Sequence, residues 1–353
     1  MIQKKRSVLI TGVCTPWGGK LARLLENDPD FNIILGLDYK KPEFPLRKTE
    51  FFQVDLHNPL IAELIKTSEV DTVCHLQFMD AYSHSEEIFD LNVMGAQSLL
   101  AACAAGEVPR VLFMSDTMVY GGSSRNPCFL EETADFKGQY RHPYVRDRWE
   151  VEKLLAKFSR EYPEIKTTIL RFANILGPDV DTPMRRYLEA PAVPMVFGFD
   201  PMFQFTHEED VVAALYHALK SDAHGVFNVA GQGAMPIGQV LRVGRRVPVP
   251  FGAPFLRMSN FFVQKTPVAD YIPIETDFLK YTFVGDTTRM KEVLGFKPKF
   301  TSKQTVIDFF EHLRILGYIP KRGEIETAPE AHEQLQEYIN SMRRINEAIQ
   351  GLQ

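Results

Sequence analysis

Two glycines and one acidic residue near the start of the chain have the types and spacing that bind a dinucleotide. The segment SVLITGVCTPWGGKLARLL, residues 7–25, is an apolar run, a glycine-bearing turn and an apolar pattern resumed at helical spacing. Gly12 suits a tight turn off a strand, Gly18 suits close packing of the next helix, and the amides of that helix face a diphosphate. Asp38, which ends the apolar run 31–38, lies 20 residues beyond Gly18. An acid there binds the ribose hydroxyls and favours NAD over NADP.

These residues need a frame of alternating strands and helices, and the rest of the first half supplies one. Nearly continuous apolar runs alternate with helical patterns, which is typical of a parallel sheet covered on both faces. The sequence therefore predicts an α/β fold with a Rossmann-type doubly wound parallel sheet. The further predicted strands are 51–55, 70–78, 110–115 and 166–178, and the further helices are 59–66, 86–106 and 142–163.

Two places at the predicted strand ends have the composition of a site. Asp55 ends the third strand, where it either meets the adenine edge or starts the following helix. The loop 116–127 follows the fifth strand, and ligands of such sheets bind beyond the carboxyl ends of the strands. We therefore expect the loop 116–127 to carry chemistry.

The chain divides into three parts by pattern. Residues 1–178 form the predicted NAD-binding domain, to which later segments return, and 179–322 form a smaller substrate-binding α/β lid. Within the lid, the aromatic and proline-rich stretch 245–283 is either loop packed on a core or an apolar substrate pocket. Residues 323–353 repeat apolar residues at spacings of four and three, which predicts an amphipathic C-terminal helix. That helix either folds back on the globule or mediates association.

Composition excludes several classes of function. A formal net charge of -5 argues against nucleic acid as a partner. The first apolar run is too short for a signal peptide, and no window has the uncharged apolar length of a membrane span. The four cysteines lack paired spacing and fit free thiols, so we expect a cytoplasmic protein. No metal-binding spacing and no GxSxG motif occurs.

Several segments, in order, resemble motifs of one enzyme family. They are TGVCTPWGG, CHLQF, LNVMGAQSLL, MSDTMVYGG, RFANILGP, FTHEEDVVAAL and DTTRMKEVLGFKPKFT. Over about residues 7–315 the chain is similar to the extended short-chain dehydrogenase/reductase (SDR) family, in its NAD-dependent epimerase/dehydratase branch. It looks closest to a divergent subgroup labelled UDP-glucose 4-epimerase-like. The resemblance implies NAD as cofactor and a small-molecule substrate.

The resemblance also implies a catalytic set, with two departures. Tyr144 takes the position of the proton donor or acceptor, and Arg148 stands where the family has lysine. At this spacing both lie on one helix face, so the cation lowers the phenol pKa and holds a ribose. Arginine, however, cannot relay a proton. Asp116, flanked by Ser115 and Thr117, replaces the usual hydroxyl. It orients the substrate hydroxyl or acts as a base, or it simply pairs with Arg148; the hypothesis is that the two departures compensate each other as an ion pair.

Further positions follow from the same resemblance. Thr15 replaces the middle glycine of the turn and Gln77 replaces a small residue beside the cofactor. Asn174 and His207 match substrate-side positions. The remaining cofactor positions are Trp17, Leu56 and Asn92.

Two functions remain open. One is an NAD-dependent epimerase, dehydratase or oxidoreductase; the other is an impaired NAD-binding protein that acts as a sensor or interaction module. The family's segment for clamping a nucleoside diphosphate has no clear counterpart, so the substrate is a sugar nucleotide or a more apolar alcohol or ketone. The family pattern also implies a homodimer built from the helices near 86–105 and 144–160.

Overall fold

A computed structural model describes residues 6–79, 86–137, 143–251 and 276–316, with backbone alone for Pro143, Tyr144 and Phe251. The predicted C-terminal helix, 323–353, lies outside the described residues. The first half contains β1 (Arg6–Thr11), α1 (Pro16–Glu26), β2 (Phe31–Asp38), β3 (Glu50–Gln53), α2 (Leu60–Thr67), β4 (Thr72–His75), α3 (Glu86–Phe89), a π-helical turn (Asp90–Met94), α4 (Gly95–Ala105), β5 (Arg110–Asp116), a 3-10 turn (Thr117–Tyr120), α5 (Pro143–Glu161) and β6 (Lys166–Phe172).

The second half has shorter elements. They are β7 (Asn174–Leu176), α6 (Pro183–Glu189), β8 (Ala192–Val196), β9 (Met202–Phe203), β10 (Phe205–His207), α7 (Glu208–Lys220), β11 (Gly225–Val229), β12 (Met235–Pro236), α8 (Ile237–Val243), β13 (Val247–Phe251), α9 (Thr288–Glu292) and α10 (Ser302–Ile315).

A seven-stranded parallel sheet in the order β11-β6-β5-β4-β1-β2-β3 confirms the predicted fold class. Side chains alternate across it because successive strand residues point to opposite faces. Val8 and Ile10 of β1 pack with α1 and α7, whereas Leu9 belongs to the core beneath α2, α4 and α5. A separate apolar cluster, which includes Phe203 and Phe309, lies mostly among residues of the predicted lid, 179–322.

Several predicted boundaries were wrong. The third strand is 50–53 rather than 51–55, and the fourth is 72–75 rather than 70–78. The neighbouring β1 ends at Thr11, so residues beyond His75 have no strand to pair with on that side. The predicted strand 166–178 is two strands, because β7 pairs with β10 of the lid rather than with the central sheet.

The helical stretch Glu86–Ala105 is long and apolar enough to cross a membrane by length and composition alone. Leu99, Leu100 and Cys103 are nevertheless buried in the core on one face of the sheet. A buried core helix of a globular domain has the same composition, so this stretch is weak evidence for a membrane span.

Candidate active site

The turn after β1 has room for glycine alone at two positions. Gly12 has φ +75°, and a Cβ there would lie 2.5 Å from the Gln77 amide nitrogen. A Cβ on Gly18 would overlap the Gly12 carbonyl oxygen. Left-handed backbone and this close approach both favour glycine, which confirms the predicted tight turn and close helix packing.

Thr15 stabilises this turn from within. Its hydroxyl donates to the Gly12 carbonyl over 2.7 Å and accepts from the Gly18 amide over 3.1 Å, so it caps the N-terminus of α1. The hydroxyl proton is thereby used inside the turn and is not directed to a ligand.

Asp38 is buried at the end of β2, beside the turn. Its carboxylate accepts from the amides of Cys14, over 3.0 Å, and Lys40, over 3.1 Å. Each carboxylate oxygen keeps a further lone pair, so these bonds orient the acid and leave acceptor sites for hydroxyl groups. Burial, together with the charge of Asp38, raises the pKa of the Cys14 thiol to about 12, which keeps it protonated.

Asp55 and Leu56 lie after β3, apart from the cavity described below. Asp55 is exposed and accepts from the His57 amide over 2.8 Å and contacts the His57 ring nitrogen Nδ1 at 2.6 Å. Burial raises the pKa of Asp55, but these hydrogen bonds outweigh it and hold the pKa below its usual value. This geometry favours the local turn role for Asp55. Leu56 is buried and would touch a Cβ placed on Gly95.

Asn92 holds the loop after β4 in place. Its side-chain oxygen accepts from the Met79 amide over 2.8 Å, and its nitrogen donates to the Met79 carbonyl over 2.9 Å. The oxygen and the nitrogen of this buried side-chain amide are thus both bonded to the backbone of Met79. Asn92 therefore acts on the site by holding that loop.

A cavity of about 210 Å³ opens at the carboxyl ends of β1, β4, β5 and β6. This is where a doubly wound sheet binds its ligands. Of the predicted site residues, the cavity is lined by Thr15, Trp17, Gln77, Ser115, Asp116, Arg148 and Asn174. The structure places Gly12, Gly18, Asp38, Asp55, Leu56, Asn92, Thr117 and His207 outside that lining.

Asp116 and Arg148 form the predicted ion pair in this cavity. Arg148 Nε lies 2.8 Å from Asp116 Oδ2, and the two side chains are 10% and 13% exposed. The other carboxylate oxygen accepts from the Met118 amide over 2.8 Å, so Asp116 also starts the 3-10 turn. The guanidinium lies 3.9 Å from the centroid of the Phe78 ring. A carboxylate and an aromatic face therefore hold Arg148 from two sides.

Ser115 points to a buried network that the sequence analysis missed. Its hydroxyl donates to Glu152 Oε1 over 2.6 Å, and Arg171 Nε donates to the same carboxylate at 3.0 Å. All three side chains are at most 5% exposed. Glu152 lies four residues after Arg148 on α5, just as Arg148 lies four residues after Tyr144. This repeated spacing puts the three residues on one helix face, and it was the sequence signal that could have indicated Glu152.

Tyr144 lies in the first turn of α5, four residues before Arg148. Its side chain lies outside the described residues, and its role stays a prediction.

Asn174 and His207 are engaged in the lid's own structure. The Asn174 side chain donates to the Gln204 carbonyl over 3.0 Å. His207 is buried; its Nδ1 accepts from the Glu209 amide, and its Nε2 lies 3.1 Å from Asp308 Oδ2. Its ring also stacks on Phe300 with centroids 3.9 Å apart. Both ring nitrogens of His207 therefore have partners away from the cavity.

Two polar atoms in the cavity wall have no hydrogen-bond partner among the described residues. They are Nε2 of His75 and Oε1 of Gln77, in side chains 4% and 6% exposed. His75 Nδ1 contacts the Thr11 hydroxyl at 2.6 Å. Over the same ranges of the chain, no group of three His, Cys, Asp or Glu side chains is placed to hold a metal ion.

Comparison with known proteins places these features in a family. Residues 8–230 match the model of the NAD dependent epimerase/dehydratase family. An uncharacterized protein of Mycobacterium tuberculosis is 34% identical over 322 residues, which cover 87% of this chain and 84% of that protein. UDP-glucose 4-epimerase of Pisum sativum is 27% identical over 194 residues, covering 50% of this chain and 54% of that enzyme.

A solved structure supports the same fold. The structure of MoeE5 in complex with UDP-glucuronic acid and NAD superposes with a TM-score of 0.68 at 22% identity. The match covers 87% of this chain and 99% of that chain.

Proposed function

Because this chain belongs to the NAD dependent epimerase/dehydratase family, we propose that it is an NAD-dependent enzyme that oxidises or reduces a hydroxyl or carbonyl carbon of a small molecule. The observation that carries the proposal is one cavity that joins the N-terminus of α1 to the Asp116–Arg148 pair. NAD, when bound, would supply a hydride acceptor for the oxidation, and NADH a hydride donor for the reduction.

The residues present fit a dinucleotide. Gly12 and Gly18 leave the open backbone turn that a diphosphate requires, and Asp38 presents free lone pairs to ribose hydroxyls. The strand order reverses between β1 and β4, and a dinucleotide crosses a doubly wound sheet at that point. With the adenosine half at Asp38 on β2, the nicotinamide half would reach the ends of β4 and β5, where Asp116 and Arg148 line the cavity.

The side chains have distinct roles in this proposal. Tyr144 gives a proton to the substrate oxygen or takes one from it, and Arg148 supports the ionised phenol electrostatically. Arg148 stays charged throughout, because a guanidinium does not deprotonate in proteins. Ionised Asp116 only accepts hydrogen bonds, so it orients a substrate hydroxyl or takes its proton as a base.

The cavity wall favours an apolar substrate. Its lining includes the apolar side chains of Phe78, Met118, Ile175, Val180 and Met184. Among its polar groups, the hydroxyls of Ser115 and Thr182 donate within the protein, and one N–H of the Asn174 side chain donates to the Gln204 carbonyl. A hexose would place some of its hydroxyls against these apolar side chains, which costs free energy where no polar group is within reach. An alcohol or ketone with an apolar body is the favoured substrate, and a sugar nucleotide, as in the pea enzyme's name, is the competing one.

Cofactor binding tests the proposal directly. Native mass spectrometry of freshly purified protein should detect NAD or NADH, and isothermal titration calorimetry should show NAD binding tighter than NADP. A matched Asp38→Asn variant should narrow that preference, because it removes the charge that repels a 2′-phosphate. Failure to bind either dinucleotide would sink the proposed function, and tighter binding of NADP would refute the role of Asp38.

The Asp116–Arg148 ion pair favours a second candidate, an NAD-binding protein without turnover. In the pair, each group that should serve the reaction is held by the other. Asp116→Ser combined with Arg148→Lys restores the family's residue types. Turnover of a panel of secondary alcohols, followed by nicotinamide absorbance, and of UDP-glucose, followed by chromatography of the sugar nucleotides because an epimerase reoxidises its NADH in each turnover, separates the candidates. Activity of the parent that the double variant loses supports the enzyme; activity gained only by the variant supports the second candidate.

A further inference from the structure

The strand β13 and the turn that follows β8 expose apolar side chains side by side. Val247 and Val249 of β13 are 62% and 45% exposed, and Phe197 in the turn is 75% exposed. Phe199, in the same turn, is 37% exposed and lies edge-on against Tyr281, with ring centroids 5.9 Å apart. We call Phe197, Phe199, Val247 and Val249 the β13 surface.

The sequence predicts that the stretch 245–283 packs on a core or forms an apolar substrate pocket. The strand β13 at its start does neither, because residues 247–250 are exposed and do not line the cavity. The register of β13 on β8 pairs position 251 with Val196, so the turn at Phe197 continues the same surface. A contiguous apolar surface left in water marks a site that binds a protein or a membrane.

The free edge of β13 is unsuited to another strand. β8 pairs with β13 in parallel, and the Val247 amide donates towards that side, to the Pro191 carbonyl over 3.0 Å. Backbone groups of alternate residues point to opposite edges of a strand, so positions 248 and 250 face outward. Both are proline, which has no N–H to donate. Proline on an edge strand prevents strand addition, so a covering partner must bind the side chains instead.

Positive charge accompanies these apolar residues. The chain has a formal net charge of -5, yet residues 239–269 contain no Asp or Glu, and their basic residues are Arg242, Arg245, Arg246, Arg257 and Lys265. Arg242 and Arg245 are exposed just before β13. Basic residues beside exposed apolar and aromatic side chains are typical of a segment that binds anionic lipid headgroups.

One acid lies beside the β13 surface. Asp200 follows the turn, and its Oδ1 accepts from the Gly238 amide at the start of α8 over 2.7 Å. It is therefore held at the base of the turn, while the cations lie at the opposite end of α8.

We propose that the β13 surface binds an anionic lipid bilayer. Phe197, Val247 and Val249 enter the boundary between headgroups and acyl chains, and Arg242 is attracted to the lipid phosphates. This binding is peripheral and does not depend on the proposed function. A substrate with an apolar body would partition into the same membrane.

Co-sedimentation with vesicles tests the proposal on the full chain. The vesicles contain phosphatidylcholine alone or an equimolar mixture with phosphatidylglycerol. The proteins are the parent, Phe197→Ser/Val249→Ser and Leu60→Ser/Val293→Ser. Leu60 and Val293 are 63% and 51% exposed on α2 and after α9, so their double variant is the matched control. The parent and the control should bind the mixed vesicles, and Phe197→Ser/Val249→Ser should bind them roughly tenfold more weakly or less.

Charge gives a second expectation. Arg242→Gln should bind the mixed vesicles several-fold more weakly than the parent, and added salt should weaken the parent because ions screen the attraction. Equal binding of the parent to both kinds of vesicle would overturn the assignment to anionic lipid.

Other results would overturn the proposal as a whole. They are absence of parent binding to the mixed vesicles, and equal binding by Phe197→Ser/Val249→Ser and the parent. A dimeric parent whose Phe197→Ser/Val249→Ser variant is monomeric in light scattering, with no vesicle binding by either, would assign the surface to a second copy. NAD affinity is measured on the same preparations, and its absence in the parent would defeat the proposed function alone.

Hydrogen exchange of the parent covers the case in which a variant does not fold. Amides in peptides spanning 197–200 and 247–251 should exchange more slowly when mixed vesicles are present. Amides at the start of α2, around Leu60, should exchange at an unchanged rate. Slower exchange elsewhere, with both of these segments unchanged, would overturn the proposal.

Discussion

Asp116 and Arg148 show how two substitutions can be understood only together. A carboxylate alone near Tyr144 would raise the phenol pKa, and a guanidinium alone would lower it. Their 2.8 Å contact in a poorly exposed wall makes each the main electrostatic neighbour of the other. Arg148 keeps the positive charge of the family's lysine and Asp116 adds a negative charge, so the pair is neutral where the family pattern has one positive charge.

This coupling predicts non-additive variants. Asp116→Asn and Arg148→Met should each lower the free energy of unfolding. The loss in the double variant should be smaller than the sum of the two single losses by about 1–3 kcal/mol. Urea unfolding of the parent, the two single variants and the double variant measures this coupling free energy. Calorimetric NAD affinities of the same four proteins provide a second readout. The exposed pair Lys157 and Glu161 on the same helix is the matched control, with a coupling well under 1 kcal/mol. Strict additivity at Asp116 and Arg148 would contradict the argument.

His75 predicts a pH dependence of stability. Burial lowers the pKa of its imidazole to about 3, from an ordinary value of 6.5. Between these values the unfolded chain binds a proton that the folded chain does not, so stability falls as pH falls below 6.5. The free energy of unfolding should drop by about 2–3 kcal/mol more in the parent than in His75→Gln between pH 6.5 and 4.5.

Denaturant unfolding at the two pH values tests this expectation, with His224→Gln as control because His224 is exposed. Parallel pH profiles of the parent and His75→Gln would show that His75 is not the responsible group.

At the scale of elements, the junction of β1 and α1 depends on backbone contact. Gly18→Ala improves helix propensity yet forces a methyl group into the Gly12 carbonyl, so we expect a loss of about 2 kcal/mol or more. Gly95→Ala in α4 is the control, because its Cβ would meet the flexible Leu56 Cδ1 at 3.3 Å. That variant should change stability by about 1 kcal/mol or less. Chemical unfolding compares them, and equal losses would refute the steric explanation.

Helix α5 is fixed on the sheet by the same side chains that shape the cavity floor. Glu152 joins it to Ser115 of β5 and Arg171 of β6, one turn beyond Arg148. A helix fixed in this way holds Arg148 and the Tyr144 backbone at a constant distance from the strand ends.

At the scale of the whole molecule, the lid and the sheet share elements. Helix α7 and strand β11 follow lid segments in sequence but pack on the sheet, and Lys20 of α1 pairs with Glu208 of α7 over 3.1 Å. The chain therefore crosses between its two halves more than once, and each half constrains the other at the cavity.

The predicted dimer belongs to this scale. The helices Glu86–Ala105 and Pro143–Glu161 are the expected interface, while the heptad pattern of 323–353 lies beyond them. Deleting residues 324–353 should leave a homodimer in light scattering coupled to size-exclusion chromatography. A monomeric product would assign dimerisation to the tail, and a monomeric parent would refute the predicted dimer itself.

The sequence alone determined the fold class, the glycine turn, Asp38 and the Asp116–Arg148 pairing. The first three depend on residues close in sequence or on spacings that set strand and helix faces, and such signals are local, whereas the Asp116–Arg148 pairing came from the resemblance to the family. Tertiary structure alone decided that β7 leaves the sheet, that Glu152 binds Arg171, and that Oε1 of Gln77 is buried without a partner in the part of the chain that the structure describes. Each depends on contacts between segments far apart in the chain. Burial and hydrogen bonding there are set by packing, which no local pattern encodes.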